Sequence, residues 1–284
     1  MKKTVLVTGA SGFVGQKFVE AYSGQFNVIP VCLIATKPED LDFRGVDAVL
    51  HLAAMVHQMK PVPDDLYFDV NTKLTERVAL AAKAAGVRHF VFYSTVKVFG
   101  VDGEMHNHNL VLGLNSPCIP TDAYGRSKLA AEKLLSELES EQFRLCIIRP
   151  PLVYGPNVKG NLKNLIKLAK FLPVLPLKYT QNKRSLVSLN NLLEQTAYVI
   201  NCNHTGVVIP QDSTFVSTHD IISGVIAAQK SKNLLIKPPR ILLWCLERFS
   251  SAIATRLFGT LAFDQSLNLR QREYLFRDEF GSFE

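Results

Sequence analysis

The 284-residue sequence lacks any run of about 20 apolar residues, the length that a membrane-spanning helix needs. Its first apolar run stops at Thr8-Gly9, too early for the hydrophobic part of a signal peptide. The most apolar late segment, Ile241 to Phe263, is interrupted by charged residues. We therefore expect a cytoplasmic protein without a membrane span. The late segment is interpreted as a core or interface helix, with contact to a membrane surface as the alternative.

Cysteine pairs at metal-binding or redox spacing are also missing. The five cysteines are odd in number, widely spaced and without a Cys-x-x-Cys pair, at positions Cys32, Cys118, Cys146, Cys202 and Cys245. This pattern is typical of a reduced compartment. His106 and His108 lie in one loop without a nearby cysteine, and histidines of this kind are more often solvated, so no metal site is expected.

Acidic residues are fewer than basic ones, and the formal net charge is +7. The basic residues are scattered, and no basic run is interleaved with aromatic residues. A small polyanionic substrate accounts for this balance better than nucleic acid does. A solvated basic surface without a partner is the alternative.

Short apolar runs alternate with helical patterns in the first half of the chain, as in a parallel sheet built from βαβ units. The predicted strands are Lys3–Thr8, Asn27–Ile34, Ala48–Ala53, Arg88–Ser94 and Arg144–Arg149, and the predicted helices are Gly12–Tyr22, Asn71–Ala85 and Asp122–Leu138. The link from Ile34 to Asp47 is short for a helical crossover, so that connection is expected to be reduced.

Proline and glycine become frequent after Pro150-Pro151, and the regular alternation ends. A helix is predicted over Asn161–Phe171, followed by breaks at Pro173 and Pro176. We predict a doubly wound α/β Rossmann domain in residues 1–150, and a smaller, mainly substrate-binding portion in residues 151–284 that is interleaved with the core.

The glycines of Thr8-Gly9-Ala10-Ser11-Gly12-Phe13-Val14-Gly15 lie between a predicted strand and a predicted helix. In that setting Gly9, Gly12 and Gly15 permit a tight turn, close approach of the backbone to a pyrophosphate, and close packing of helix on strand. The helix N-terminus favours the phosphates. The segment therefore predicts a dinucleotide-binding loop.

Tyr124 and Lys128 are four residues apart and share one face of a predicted helix. An ammonium beside a phenol favours the phenolate, which lowers a pKa that is normally about 10. Such a phenol exchanges a proton with an alcohol or a ketone. The spacing also arises by chance on surface helices, so its meaning depends on the cofactor loop.

These motifs together resemble the extended short-chain dehydrogenase/reductase family, specifically its nucleotide-sugar 4-epimerase and 4-ketoreductase branch. The likeness runs from residue 4 to about residue 195, in the family's order and spacing. It is carried by Thr8–Gly15, His51-Leu52-Ala53-Ala54, Ser94–Gly100, Tyr124–Lys128, Arg149–Pro156 and Asn182-Lys183-Arg184-Ser185.

The resemblance implies a role for each matched residue. Thr95 would bond the reacting sugar oxygen, Tyr124 would donate or accept the proton, and Lys128 would bind the nicotinamide ribose while tuning Tyr124. The cofactor cleft would be formed by Gly9, Ser11, Gly12, Phe13, Val14, Gly15, Leu52, Ala53, Ala54, Asn71, Tyr124, Lys128 and Pro151. For Asn71, capping of the predicted helix is an equal alternative.

On the substrate side, Arg184 matches the family arginine that binds the diphosphate, a task that suits a guanidinium fork. Asn161 and Leu162 resemble the pair that contacts the nucleotide. A surface arginine and an ordinary helix cap are the alternatives. The family also implies a homodimer formed through the helices 71–85 and 122–138, although their apolar stripes are equally consistent with packing on the sheet.

The resemblance leaves the reaction open between reduction of a UDP-linked 4-keto sugar, which we favour, and 4-epimerisation with retained NAD. Related 4,6-dehydratases carry an acidic pair after the threonine, where this chain has Val96-Lys97, so dehydration is disfavoured. A non-catalytic dinucleotide sensor is a distant alternative. The second strand ends without an acid, and Thr36 and Lys37 follow, so among NAD and NADP we lean slightly to NADP.

Overall fold

The computed structural model describes residues 1–56, 62–155, 167, 171–178 and 180–269. The chain divides into two compact units. Unit 1 comprises Met1–Gly100, Pro117–Pro150 and Leu193–Ile209. Unit 2 comprises Val101–Ser116, Pro151–Leu192 and Pro210–Glu284. Their assignment to cofactor and substrate remains a prediction.

Unit 1 contains a six-stranded sheet in which all neighbouring strands are parallel. Its strands are β1 (Thr4–Thr8), β2 (Asn27–Val31), β3 (Ala48–His51), β4 (His89–Tyr93), β6 (Arg144–Ile148) and β10 (Gly206–Val208). Their order across the sheet is β10-β6-β4-β3-β1-β2. The predicted doubly wound parallel sheet is confirmed; the ends of the five predicted strands differ by one to three residues, and β10 was not predicted.

The helices of unit 1 are α1 (Phe13–Tyr22), α2 (Asp64–Phe68), α3 (Leu74–Ala84), α4 (Ala123–Leu138) and most of α5 (Leu189–Cys202). Every residue of β3 and β4 is buried, as expected for strands covered on both faces. Val78 of α3 and Leu135 of α4 lie in the same apolar core as Val49 and Phe90. The apolar stripes of these two helices therefore pack on the sheet.

The connection from β2 to β3 holds only a short 3-10 turn, Pro38–Asp40. This confirms the prediction that the crossover is reduced. Arg77 of α3 pairs with Glu39 of this turn at 2.6 Å.

The predicted start of a helix at Asn71 is wrong. A turn of π-helix, Asp69–Lys73, joins α2 and α3, so the helical run begins at Asp64. Pro63 and the acidic pair Asp64-Asp65 explain this start, because proline and acidic residues favour the first turn of a helix.

Unit 2 is built from short parallel strand pairs and three helices among its described residues. The pairs are β5 (Val111–Leu112) with β12 (Ala262–Phe263), β7 (Leu152–Tyr154) with β9 (Leu186–Ser188), and β8 (Val174–Leu175) with β11 (Leu234–Leu235). The helices are α6 (Thr218–Ala228), α7 (Arg240–Phe249) and α8 (Ser251–Phe258). Its core includes Tyr154, Leu186, Ile222 and Phe258.

The helix predicted over Asn161–Phe171 lies largely outside the described residues. No helix in the described part of the chain is long and apolar enough to cross a bilayer.

Candidate active site

Polar residues lie together where β1, β3 and β4 end, namely Thr8, His51 and the Ser94-Thr95 pair. Thr8 is the register partner of His51, and His51 is the partner of Phe92, one residue before the end of β4. In a parallel sheet this carboxyl edge is where ligands bind. The glycine loop, the loop after His51 and the Ser94-Thr95 pair all leave the sheet here.

The glycine loop has the shape that a dinucleotide requires. Gly9 has a φ of +70°, and a Cβ added there would lie 2.6 Å from the amide nitrogen of Ala53. A Cβ at Gly15 would lie 2.4 Å from the carbonyl oxygen of Gly9. Gly12 caps α1 without a side-chain hydrogen bond, so N–H groups of the first turn remain for an anion. These residues fit a pyrophosphate.

A buried hydrogen-bond relay anchors the loop after β3. His51 Nδ1 lies 2.9 Å from Thr8 Oγ1, and His51 Nε2 lies 3.0 Å from Thr75 Oγ1. Because Thr75 donates to the carbonyl of Asn71, we infer that the Nε2-protonated neutral histidine donates to Thr75. Burial and the nearby charge of Lys128 lower the pKa of His51 to about 3, so the ring stays neutral. Thr8 in turn accepts from the Ala53 amide at 3.3 Å.

Asn71 ties the same loop to helix α4. Its amide oxygen accepts from Met55 N at 2.8 Å, and its amide nitrogen donates to Met55 O and Ser127 Oγ at 3.0 Å each. The alternative that Asn71 caps a helix is wrong, because it lies inside the helical run that begins at Asp64. Both of its amide hydrogens bond protein atoms, so its support for a cofactor acts through the loop.

The other predicted cofactor residues of unit 1 line these two loops. Ser11 is exposed, and half-buried positions are held by Phe13, Val14, Leu52, Ala53 and Ala54. Pro151 belongs to unit 2 and is buried.

Thr95 and Tyr124 are brought together. The side chain of Thr95, which is only 8% exposed, is close enough to Tyr124 to act on the pKa of its phenol. Thr95 Oγ1 also accepts from Lys97 N at 3.2 Å, which opens a 3-10 turn over Val96–Phe99. Gly125 permits this approach, because a Cβ there would lie 2.9 Å from the Lys97 carbonyl oxygen.

The protonation of Tyr124 differs from the sequence expectation. Burial raises its pKa to about 12; the side chain of Thr95 acts against this rise, and the negative charge of Asp122 adds to it. The predicted lowering of this pKa by Lys128 is therefore wrong, because the loss of hydration of the phenolate dominates. At neutral pH Tyr124 holds its proton.

Lys128 lies one turn further along α4 and is 1% exposed. Its ammonium is 4.1 Å from the centre of the Phe92 ring. Burial lowers the pKa of Lys128 to about 7, and the carboxylate of Glu132 limits the shift. A buried cation without an ion pair has donors to offer to a ligand.

Glu132 and Arg149 form a buried ion pair that the sequence analysis missed. Two nitrogens of Arg149 reach the two carboxylate oxygens at 3.0 and 2.5 Å, and Ser94 also donates to this carboxylate. The pair fixes the segment before Thr95 to the middle of α4. An acidic residue on the buried face of α4, one turn after Lys128, was the available signal.

Lys97, which stands where the related dehydratases carry an acid, is half-buried and ion-paired. Its ammonium lies 2.5 Å from Asp122, the residue whose side chain caps α4 by accepting from Gly125 N at 2.6 Å. Lys97 thus links the turn after Thr95 to the start of the helix that carries Tyr124.

Arg184, in unit 2, is a half-buried cation whose Nε is buried. Its guanidinium donates to the carbonyl of Thr255 at 2.7 Å, and its buried Nε has no partner. Among the described residues, no carboxylate lies within 4.0 Å of it. Burial lowers its pKa to about 10, opposed by the charge of Asp102. The alternative of an ordinary surface arginine is therefore wrong, whereas Asn161 and Leu162 lie outside the described residues.

At the end of β2, acidic side chains are already engaged. Glu39 is paired with Arg77 and Asp42 with Arg44, whereas Lys37 is exposed. Elsewhere in the described ranges, no group of three histidine, cysteine or carboxylate side chains is placed to hold a metal ion. His108 lies 3.3 Å from the Thr260 hydroxyl.

Two bacterial proteins named as 4-epimerases are similar in sequence to this chain. A Vibrio cholerae protein described as UDP-glucose 4-epimerase is 32% identical, over 94% of this chain and 88% of the relative. An Escherichia coli O157:H7 protein, an N-acetyl-α-D-glucosaminyl-diphospho-ditrans,octacis-undecaprenol 4-epimerase, is 29% identical over 84% of this chain and 75% of its own.

Among solved structures, UDP-N-acetylglucosamine 4-epimerase from Methanobrevibacter ruminantium M1 has a TM-score of 0.77 at 18% identity and covers 99% of this chain and 97% of that one. dTDP-4-dehydrorhamnose reductase from Bacillus anthracis has a TM-score of 0.74 at 18% identity, covering 100% and 99%. These likenesses support the fold.

The model of the NAD dependent epimerase/dehydratase family matches residues 35–206, more than half of the chain. The chain therefore belongs to this branch of the extended short-chain dehydrogenase/reductases, and with it is an enzyme that uses a nicotinamide dinucleotide.

Proposed function

We propose that this enzyme transfers hydride at C4 of a UDP-linked sugar, with Thr95, Tyr124 and Lys128 as its catalytic residues. The observation that carries the proposal is the placement of Thr95 beside Tyr124, with Lys128 buried one turn later on α4. This arrangement presents two hydroxyls to one substrate oxygen, and one of them holds an exchangeable proton.

The side chains have separate tasks in this proposal. Thr95 holds the sugar oxygen by a hydrogen bond, and Tyr124 gives its proton to that oxygen on reduction or takes it on oxidation. When bound, the nicotinamide accepts the hydride on oxidation and donates it on reduction. Lys128 is assigned to the ribose hydroxyls of the cofactor, because its ammonium is buried and forms no ion pair with the residues that the structure describes.

Arg184 is proposed to bind the substrate diphosphate, together with Asn161 and Leu162 as nucleotide contacts. A half-buried guanidinium without a carboxylate partner is costly unless an anion completes it. A diphosphate supplies paired oxygens in the geometry that a guanidinium fork matches.

The direction of the reaction is best assigned as 4-epimerisation, because the two relatives described above are both named 4-epimerases. Reduction of a 4-keto sugar, which the sequence patterns favour, is the second candidate. It is supported by the resemblance of the Leu152–Asn161 run to the 4-ketoreductases of the family. Dehydration remains disfavoured, because Lys97 in the place of an acid pairs with Asp122.

Incubation with a panel of UDP-sugars and UDP-4-keto sugars separates the two candidates. Interconversion of sugars without net NAD(P)H use supports epimerisation, and stoichiometric loss of NAD(P)H absorbance supports reduction. Failure of both with UDP-sugars, together with turnover of another sugar carrier, would contradict the UDP assignment.

The finer cofactor and assembly assignments are also proposals. NADP is favoured slightly, because Glu39 is paired with Arg77 while Lys37 is exposed beyond β2. Comparison of dissociation constants for NAD and NADP tests this. A homodimer and a cytoplasmic location are proposed from the family resemblance and the five free cysteines.

A further inference from the structure

Exposed apolar side chains are concentrated in one segment of unit 2. In residues 234–253 the exposed large hydrophobic residues are Leu234, Ile236, Ile241, Trp244, Phe249 and Ile253. Single exposed hydrophobic residues are normal on a protein surface, but a concentration of this kind marks an interaction site. We call residues 234–249 the exposed apolar segment.

The segment is folded so that each element has an inner and an outer face. Leu235 packs against the core of unit 2, while Leu234 and Ile236 on either side of it are 60% and 36% exposed. In α7, Leu243 and Leu246 pack against the same core, while Ile241 and Trp244 are 67% and 58% exposed. The outward apolar face is therefore additional to what folding of unit 2 uses.

Exposed basic side chains are frequent in and next to the exposed apolar segment. Residues 229–249 contain five basic residues, Lys230, Lys232, Lys237, Arg240 and Arg248, and the single acidic residue Glu247. No carboxylate among the described residues lies within 4.0 Å of these five cations. Arg240 opens α7, where a positive charge opposes the helix dipole. Helix stability therefore does not explain the positive charge of Arg240, whereas attraction to an external anionic surface does.

Trp244 and Phe249 complete the pattern. Their rings meet edge to face with centroids 6.3 Å apart, and Phe249 is 74% exposed. Aromatic and aliphatic residues on one helix face, bordered by lysine and arginine, are typical of helices that lie in the plane of a membrane interface. Tryptophan in particular favours the level of the lipid headgroups.

We propose that the exposed apolar segment docks this enzyme reversibly on an anionic lipid bilayer, with Ile241, Trp244 and Phe249 entering the headgroup region. Lys237, Arg240 and Arg248 contact the lipid phosphates. The proposal does not depend on which sugar the enzyme converts. Anionic lipid is favoured over a second copy of the chain, because the five unpaired cations would face each other across a symmetric contact.

The test uses the full-length protein and vesicles of phosphatidylcholine with or without phosphatidylglycerol. Trp244 is the only tryptophan in the chain, so its fluorescence reports this surface directly. We expect a blue shift and co-flotation with the anionic vesicles, and loss of both at high salt.

Two variants separate the apolar and the charged contributions. Trp244→Ser/Phe249→Ser and Lys237→Glu/Arg240→Glu should each weaken co-flotation by about tenfold or more, with far-ultraviolet circular dichroism unchanged. The matched controls are Leu114→Ser, at an exposed apolar residue of unit 2, and Arg88→Glu/Lys133→Glu, which changes the net charge equally. Both controls should bind as the wild type does.

Three outcomes would overturn the proposal. One is wild-type protein that neither floats nor shifts its fluorescence with anionic vesicles. Another is an equal loss of binding in the control variants. The third is a wild-type dimer that Trp244→Ser/Phe249→Ser converts to a monomer without any vesicle binding, which would assign the surface to a second copy.

Discussion

The two units treat their cations differently. In unit 1 seven arginines and lysines among the described residues form ion pairs within the unit. The pairs are Lys17–Glu20, Arg44–Asp42, Lys73–Asp69, Arg77–Glu39, Lys97–Asp122, Arg126–Asp64 and Arg149–Glu132. In unit 2 Arg256 pairs with Asp102, but several cations have no carboxylate within 4.0 Å among the described residues: Lys183, Arg184, Lys237, Arg240 and Arg248.

Arg149 and Arg184 show what this difference means. Arg149 is buried and has a bidentate carboxylate partner, whereas Arg184 is half-buried, has a buried Nε and donates only to a carbonyl. The charge of Arg149 is therefore neutralised within the protein, whereas the charge of Arg184 is not neutralised by the described residues. A ligand can supply the counter-charge of a cation that folding does not neutralise. In unit 1 the buried Lys128 is such a cation.

The largest effect is expected from Tyr124→Phe, which removes the exchangeable proton from the site. Turnover should fall by about 10³ to 10⁴, near the upper range for one general acid–base group, while the fold is kept. The control is Tyr93→Phe, which removes a buried hydroxyl bonded to Thr196. It should cost about 1 kcal/mol of stability and leave turnover nearly unchanged. Equal turnover in both variants would contradict the role of Tyr124.

Arg149→Met should strongly destabilise the protein, because it leaves Glu132 buried without its counter-charge. Loss of one partner of a buried pair costs about 3–5 kcal/mol. Urea unfolding measures this cost. The double variant Arg149→Met/Glu132→Leu should recover much of it, since both charges are then absent. If the double variant is no more stable than Arg149→Met, packing rather than charge holds this region.

Arg184→Met should have the opposite profile. Stability should stay equal or rise slightly, because an incompletely bonded half-buried cation is removed. The Michaelis constant for a UDP-sugar should rise by about 10- to 100-fold, as for loss of a hydrogen bond to a charged group. A loss of stability as large as that of Arg149→Met, with unchanged substrate affinity, would break the comparison between the two arginines.

Sequence patterns were sufficient for five of the six sheet strands and for the reduced crossover, because buried strands such as β3 are mostly apolar and connection lengths limit what a crossover holds. They failed where burial decides. The spacing of Tyr124 and Lys128 places both on one helix face, but it does not reveal the desolvation that raises the pKa of Tyr124 to about 12. The Arg149–Glu132 pair joins a strand end to a helix, so helical spacing places Glu132 on the buried face of α4 but does not identify Arg149 as its partner.

Lys128 gives the comparison a pH dependence. Its pKa falls from 10.5 to about 7 on folding, so between these values the unfolded chain binds the extra proton. The unfolding free energy of the wild type therefore contains a term that rises with pH in this window and is absent from Lys128→Met. The variant should be more stable at pH 7, and its advantage should shrink by up to ~1.4 kcal/mol per pH unit above that. A constant difference would place a charged, partnered Lys128 in the folded protein.

The smallest effect is expected from Lys97→Met. The side chains of Lys97 and Asp122 are 32% and 31% exposed, so solvent screens the pair and its loss should cost less than about 1 kcal/mol. Asp122 still caps α4 through Gly125 N, so Tyr124 keeps its position and turnover should change only about two- to threefold. Urea unfolding and turnover of the same preparation measure both. A loss of turnover like that of Tyr124→Phe at unchanged stability would instead make Lys97 a ligand-binding cation, and would move it to the class of Arg184 and Lys128.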